Sequence, residues 1–219
     1  MTDTNDDVDL VLRTMARTIV DNAEEFAQLD AVAGDGDFGF SLRNGFEVVG
    51  SDLDSFDHTS VGALLKKVGF VIAGKVGGVS GPIWGTAFMR AAATAGERTS
   101  LTGPELIEVL RASITGISQR GQAELGDKTL LDALVPAVDS LEASITEGFD
   151  DGGVAAVQKA ADVAVSAAEA TLGMLAKRGR AAYTGERSRA SVDAGATAIG
   201  VILQDISAAW RDSRQGAGQ

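Results

Sequence analysis

The chain has no cysteine among its 219 residues, which excludes disulfides, thiolate metal sites and cysteine nucleophiles. It has one histidine, His58, set between Asp57 and Thr59 in a polar stretch. A lone imidazole there reads as an exposed loop residue, and its isolation argues against hydrolytic triads, zinc hydrolases and histidine phosphocarriers. Positive charge is scarce: 19 lysines and arginines stand against 31 aspartates and glutamates, a net charge of −12. Nonspecific binding to nucleic acid or an anionic membrane needs a basic patch and is therefore not expected. No apolar run approaches the length of a membrane span, and residues 1–9 are polar and acidic rather than signal-like. These absences point to a soluble cytoplasmic protein, long enough to bury a sizeable core.

Alternating strand patterns are absent as well, and helical spacing dominates. Val8, Leu12, Met15, Ile19, Ala23 and Phe26 form one stripe, and Leu131, Leu134, Val138 and Leu141 another. A third runs from Val154 through Leu172 to Leu175, and a last one joins Ile199, Ile202, Ile206 and Ala209. Thr102-Gly-Pro-Glu105 has the form of a capping box opening a helix over 103–118. The reading is an all-α fold with one domain over 1–212 and a frayed tail over 213–219. Glycine-bearing segments at 34–45, 74–85, 121–129 and 177–195 fall at about every second helix junction, so these loops are expected to converge.

Asp30-Ala-Val-Ala-Gly-Asp35-Gly-Asp37 places three carboxylates within eight residues. At that spacing they repel unless a cation lies between them, and an all-oxygen ligand set suits a hard ion such as Mg2+. An EF-hand is excluded, since the twelfth position from Asp30 or Asp35 is Ser41 or Phe46 rather than Glu. The segment Gly69–Val76 resembles a P-loop but has Val76 where Ser or Thr must meet the metal, and it reads as the end of a buried helix. Gly77-Gly-Val-Ser-Gly-Pro82 allows close backbone approach to phosphate or ribose oxygens. Gly126-Asp-Lys-Thr129 precedes the stripe from Leu131, where backbone donors would suit an anion or serve as an ordinary N-cap. Lys177, Arg178, Arg180, Arg187 and Arg189 form the one concentrated basic patch; opposite three aspartates and a metal it would neutralise a polyphosphate.

These segments, with Gly179-Arg180, Gly185-Glu-Arg-Ser188 and Asp193-Ala-Gly-Ala-Thr197, resemble in order and separation the L subunit of dihydroxyacetone kinase, along nearly the whole chain. The resemblance implies a barrel of about eight antiparallel helices with a nucleotide held by the loops at one end. It implies that Asp30, Asp35 and Asp37 bind two Mg2+ ions that grip the phosphates of ADP or ATP. By position, Phe38, Gly39, Phe40 and Ser41 are nucleotide contacts, as are Gly78, Val79 and Ser80. So are Gly121, Thr129 and Leu130, with Arg180, Asp193, Ala194 and Gly195 reaching in from a lid-like loop. Arg180 is the expected catalytic group. Two positions depart from the family pattern: Phe38 stands where His is frequent, and Asp193-Ala194-Gly195 replaces Asp-Pro-Gly.

The implied activity is phosphoryl transfer to a short ketose held by a separate K subunit. This chain carries no second polar constellation for a sugar, and His58 lies in no family motif. The donor is either exchanging ATP or bound ADP rephosphorylated by a phosphotransferase protein, and a homodimer or larger complex with K is expected. Erythrulose as substrate and a non-catalytic, nucleotide-loaded adaptor role are the alternatives.

Overall fold

A computed structural model describes residues 4–147 and 152–216. The described residues form nine α-helices: α1 (Thr4–Asp21), α2 (Ala23–Ala33), α3 (Phe38–Asp52), α4 (Val61–Lys75), α5 (Ser80–Ala95), α6 (Gly103–Gly121), α7 (Leu131–Glu147), α8 (Val154–Glu169) and α9 (Ala194–Gly216). Two 3-10 segments, Leu53–Ser55 and Arg180–Ala190, complete the regular structure, and there is no strand among the described residues. No single described helix is long and apolar enough to cross a membrane.

Helix packing closes a ring. Each of α3 to α9 packs on the next, α9 packs on α1, and α1 packs on α3. Eight helices thus form the barrel expected from the sequence, while the short α2 lies against α3, α9 and the second 3-10 segment. The apolar stripes account for this. Leu12 and Ile19 of α1, Leu42 and Phe46 of α3, Leu64 and Val68 of α4, and Ile199 and Ile202 of α9 share one buried core. Phe46 meets Trp84 edge-on at 5.9 Å between ring centroids, a geometry favoured by the ring quadrupoles. Alanines at 156, 160, 161, 164 and 168 line the buried face of α8, letting its neighbours approach closely. Two glycines near the cleft are required by backbone contact. A Cβ at Gly39 would strike the Ala23 carbonyl, and one at Gly81 the Val76 carbonyl.

Three sequence expectations change. The first stripe is divided between α1 and α2 at Asn22, whose side-chain amide donates to the Thr18 carbonyl at 2.8 Å alongside its own backbone N–H at 3.1 Å. The third stripe ends at Glu169: Leu172 and Leu175 are exposed, Thr171 Oγ1 bonds back to the Ala168 carbonyl, and Gly173 has a positive φ of 81°. His58 is not a free-standing loop residue; its side chain is 33% exposed and Nε2 lies 2.9 Å from the Leu53 carbonyl. The capping box at Thr102 forms as expected, and α4 ends at Lys75 without a phosphate loop. Helix α9 continues through Ser213 to Gly216, and residues 217–219 of the expected tail lie outside the described residues.

Candidate functional site

Four connections gather at one end of the barrel: 34–37, 76–79, 122–130 and 170–193. They enclose a cleft of about 490 Å³, a size that suits a small organic ligand. The N-termini of α3, α5, α7 and α9 all lie on its wall. Each carries a partial positive charge, so their convergence favours an anion before any side chain is considered.

The acidic side of the cleft is built by the turn between α2 and α3. Asp30 projects from the last turn of α2, and its Oδ2 accepts the Gly36 N–H at 2.8 Å. Gly36 reverses the chain at φ 74°, a left-handed conformation that suits glycine. Asp37 then opens α3, its carbonyl accepting the Ser41 N–H at 2.8 Å. One carboxylate oxygen from each of Asp30, Asp35 and Asp37 lies within 4.8 Å of the others. Ligands on opposite sides of a Mg2+ at about 2.1 Å stand about 4.2 Å apart, so the donor set fits such an ion with little adjustment. Burial, and then the charge of Asp30, raise the Asp37 carboxyl above its ordinary pKa. Arg180 reaches across the cleft to this group. Its Nη1 pairs with Asp35 and lies 3.1 Å from Asp37 Oδ2.

Most of the residues expected from the sequence meet here. Asp30, Asp35, Asp37, Phe38, Gly78, Val79, Ser80, Gly121, Thr129, Leu130, Arg180, Asp193, Ala194 and Gly195 all line the cleft. Gly39, Phe40 and Ser41 do not: Gly39 is buried against α2, and Phe40 is exposed beneath the Arg43 guanidinium. Ser41 instead turns its hydroxyl toward Gly77.

Two local readings are narrowed: at the Gly126–Thr129 turn the ordinary capping alternative holds, and the basic patch is divided. The donors of the Gly126–Thr129 turn are already occupied by Asp132, whose Oδ1 accepts the Gly126 N–H at 2.6 Å and whose Oδ2 accepts the Thr129 N–H at 2.7 Å. An internal carboxylate fills that helix N-terminus. The basic patch, too, does not act as one body. Lys177 and Arg178 pair with Asp127 at 3.1 and 3.0 Å. Arg187 donates to the Val32 and Ala31 carbonyls at the end of α2, and Arg189 to the Gly173 carbonyl and Glu186. Only Arg180 of the five pairs with the acidic trio.

Asp193 caps α9, its Oδ1 accepting the Ala196 N–H at 2.7 Å, while its own N–H donates to Thr171 Oγ1. Burial, helped by the charge of Asp132, pushes its pKa up to about 7 against the Ala196 and Gly195 N–H groups and Lys128.

Sequence reasoning missed the work done by Asp127 and Lys128. Both are almost fully buried, whereas charged residues in a glycine-bearing turn read as solvated. For Asp127, burial pushes the pKa up, but the Glu124 N–H, Lys177 and Arg178 more than reverse this. Lys128 is pushed down by burial, with Asp193 opposing. The local signal was the pair of opposite charges inside an otherwise small-residue turn. Arg120, exposed on the cleft wall, was also missed.

The DAK2 domain profile matches residues 32–208. Among curated relatives, the ADP-binding subunit DhaL of the PEP-dependent dihydroxyacetone kinase of Escherichia coli is 38% identical over 190 residues, 87% of this chain and 90% of that one. The corresponding subunit of dihydroxyacetone kinase 2 of Listeria innocua is 34% identical, covering 91% and 94%. A D-erythrulose kinase of Mycolicibacterium smegmatis is 34% identical over 92% of this chain, which spans 35% of that longer protein. Among solved structures, the dihydroxyacetone kinase of C. freundii shares the fold with a TM-score of 0.71 at 24% identity, over 93% of this chain and 33% of that one. A second structure of that enzyme, in complex with AMP-PNP and Mg2+, matches with a TM-score of 0.69. On the profile match and on identity above 30% along nearly the whole of two relatives, the chain belongs to the DAK2 domain family.

Proposed function

We propose that this chain, as a single unit over 1–212, is the nucleotide-binding subunit of a dihydroxyacetone kinase. In this reading it holds ADP or ATP and passes the terminal phosphoryl group to a short ketose bound on a separate K subunit. The observation that carries the reading is the acidic trio facing Arg180 across a cleft onto which the N-termini of α3 and α5 open without a side-chain cap. Asp30, Asp35 and Asp37 would hold two Mg2+ ions, which neutralise phosphate charge when bound. The backbone of 78–80 and 193–195 lines the wall where the rest of the nucleotide would lie, with Gly121, Thr129 and Leu130 beside it. Arg180 is placed to meet charge on the transferring group, which is where phosphoryl transfer needs most help. Phe38 keeps its ring against Phe26 at 6.5 Å, so a contact there falls to backbone groups.

The ketose is inferred from the relatives' names, a partner from their being called ADP-binding subunits, and its identity as a K subunit from the sequence resemblance. Exposed Val32 in the last turn of α2, with Val79, Leu125 and Tyr183 on the connections, lies at this end of the barrel, a surface suited to a partner that closes the site against water. The donor is exchanging ATP or a phosphotransferase protein acting on bound ADP. Mixing the chain with a K subunit, ATP, Mg2+ and dihydroxyacetone should give phosphorylated sugar, and either protein alone should give none. Ketose phosphorylation by the pure chain alone would overturn the two-protein reading. The erythrulose kinase relative favours a second substrate, so erythrulose belongs in the same assay.

A further inference from the structure

We propose that Asp127 and Lys128 form a two-point clamp that positions the 177–190 loop, and through it Arg180, over the acidic trio. The inference rests on the functional reading above for what Arg180 does there. It stands on its own observations for how the loop is held.

The connection between α8 and α9 runs from 170 to 193, long enough that ordering it carries a substantial entropy cost. Its 177–190 stretch contributes one buried residue, Ser188, while Tyr183 is 94% exposed. Hydrophobic burial therefore does little to hold it. Polar ties do, and they meet at one dipeptide. The Lys128 ammonium, in a residue 4% exposed, donates to the carbonyls of Ser188 and Ser191 at 2.6 Å each and of Met174 at 3.3 Å. Met174 precedes the loop and the two serines end it, so a single ammonium joins both ends. Asp127 fastens the start of the loop: its side chain takes Lys177 and Arg178, and its carbonyl accepts the Lys177 N–H at 3.0 Å. Arg180 follows two residues after Arg178 and pairs with Asp35 and Asp37.

The arrangement is costly, and the cost points to a purpose. Lys128 sits at φ 63°, a left-handed conformation unusual for a side chain with a Cβ. Its charge is buried on carbonyl dipoles, with no carboxylate among the described residues bonded to it directly. A clamp built only for stability would be expected to secure core residues. This one secures a polar, exposed loop whose functional content is Arg180.

The test uses the full chain with Lys128→Met, whose helical content and melting are recorded first. The Gly173 amide, which donates to the Arg189 carbonyl, and the Ala176 amide, which donates to Ser188 Oγ, report on the held loop. Both should exchange at least about tenfold faster in the variant, while core amides of α4 stay protected. In the reconstituted kinase, Lys128→Met should lower kcat on its own but cause no further loss in an Arg180→Ala background, because it acts through Arg180. Unchanged exchange at both amides, or losses that multiply in the double variant, would overturn the proposal. If Lys128→Met does not fold, Asp127→Asn takes its place with the Lys177 amide as reporter and the same two outcomes. If the wild-type chain neither binds Mg–ADP nor supports turnover, the functional reading fails and the exchange arm alone decides the clamp.

Discussion

The two ends of the barrel are assembled by different means. At the far end, local caps stand beside short backbone ties between neighbouring connections, the Val61 N–H donating to the Arg98 carbonyl and the Gly62 N–H to the Gly96 carbonyl. Ser60 Oγ accepts the Ala63 N–H, Thr102 and Glu105 cap each other, and Arg98 bonds the Thr94 and Ala95 carbonyls. At the cleft end the ties cross the chain: Lys128 reaches Ser191 over 63 residues, Arg178 reaches Asp127 over 51, and Arg187 reaches Val32 over 155. Local ties form with the helix they cap. Ties between distant segments need the helices that carry them to be packed, so the cleft depends on the whole barrel. The contrast separates a part of the molecule built for stability from one where like charges, buried ions and strained backbone are held in place for use.

The largest single break in that contrast is expected from Arg180→Ala. It removes the cation opposite Asp35 and Asp37, and turnover in the reconstituted kinase should fall by a factor matching about 3 kcal/mol of transition-state stabilisation. Melting should change little, because the residue is exposed. Steady-state kinetics alongside thermal unfolding checks both halves.

Asp193 sharpens the comparison through pH. Its carboxyl is raised from 3.8 to about 7 in the folded chain, so between those values the native state binds more protons than the unfolded one. Stability should therefore fall as pH rises through that window and level off above it. The residue opens in part onto the cleft, where water solvates the charged form, so the effect should be on the order of 2 kcal/mol rather than the full linkage value. Asp193→Asn keeps an acceptor for the Ala196 N–H and should flatten the dependence, measured by urea unfolding without nucleotide. An unaltered pH profile in the variant would remove Asp193 as its source.

The smallest effect belongs to the far end. Thr102→Ala deletes a capping box and should cost about 1 kcal/mol of stability, read as a lower urea midpoint, with nucleotide binding unchanged. A loss of binding there would deny that the two ends are separable.

The same contrast governs what could be read from sequence. Helices α4, α6, α7 and α9 were legible because their apolar spacing and the Thr102 cap are local. The break at Asn22 and the stop at Glu169 were not, since the apolar stripes run past both and their spacing marks neither end. The Asp30–Asp37 turn announced itself by charge density within eight residues. Its pairing with Arg180 could come only from the family resemblance, because no local rule links residues so far apart. The clamp at Asp127 and Lys128 was missed for the opposite reason: charged side chains in a turn are ordinarily solvated, and here the partners that bury them come from 46 to 63 residues away.

The central claim is that the acidic trio is a metal-dependent nucleotide site, and calorimetry of ADP binding tests it most directly. With Mg2+ the wild-type chain should bind ADP, and with a chelator that binding should largely vanish. Asp35→Ala combined with Asp37→Ala should abolish the Mg2+ dependence while leaving the fold intact. Equal ADP affinity in Mg2+ and in chelator, or full Mg2+-dependent affinity in the double variant, would contradict the account.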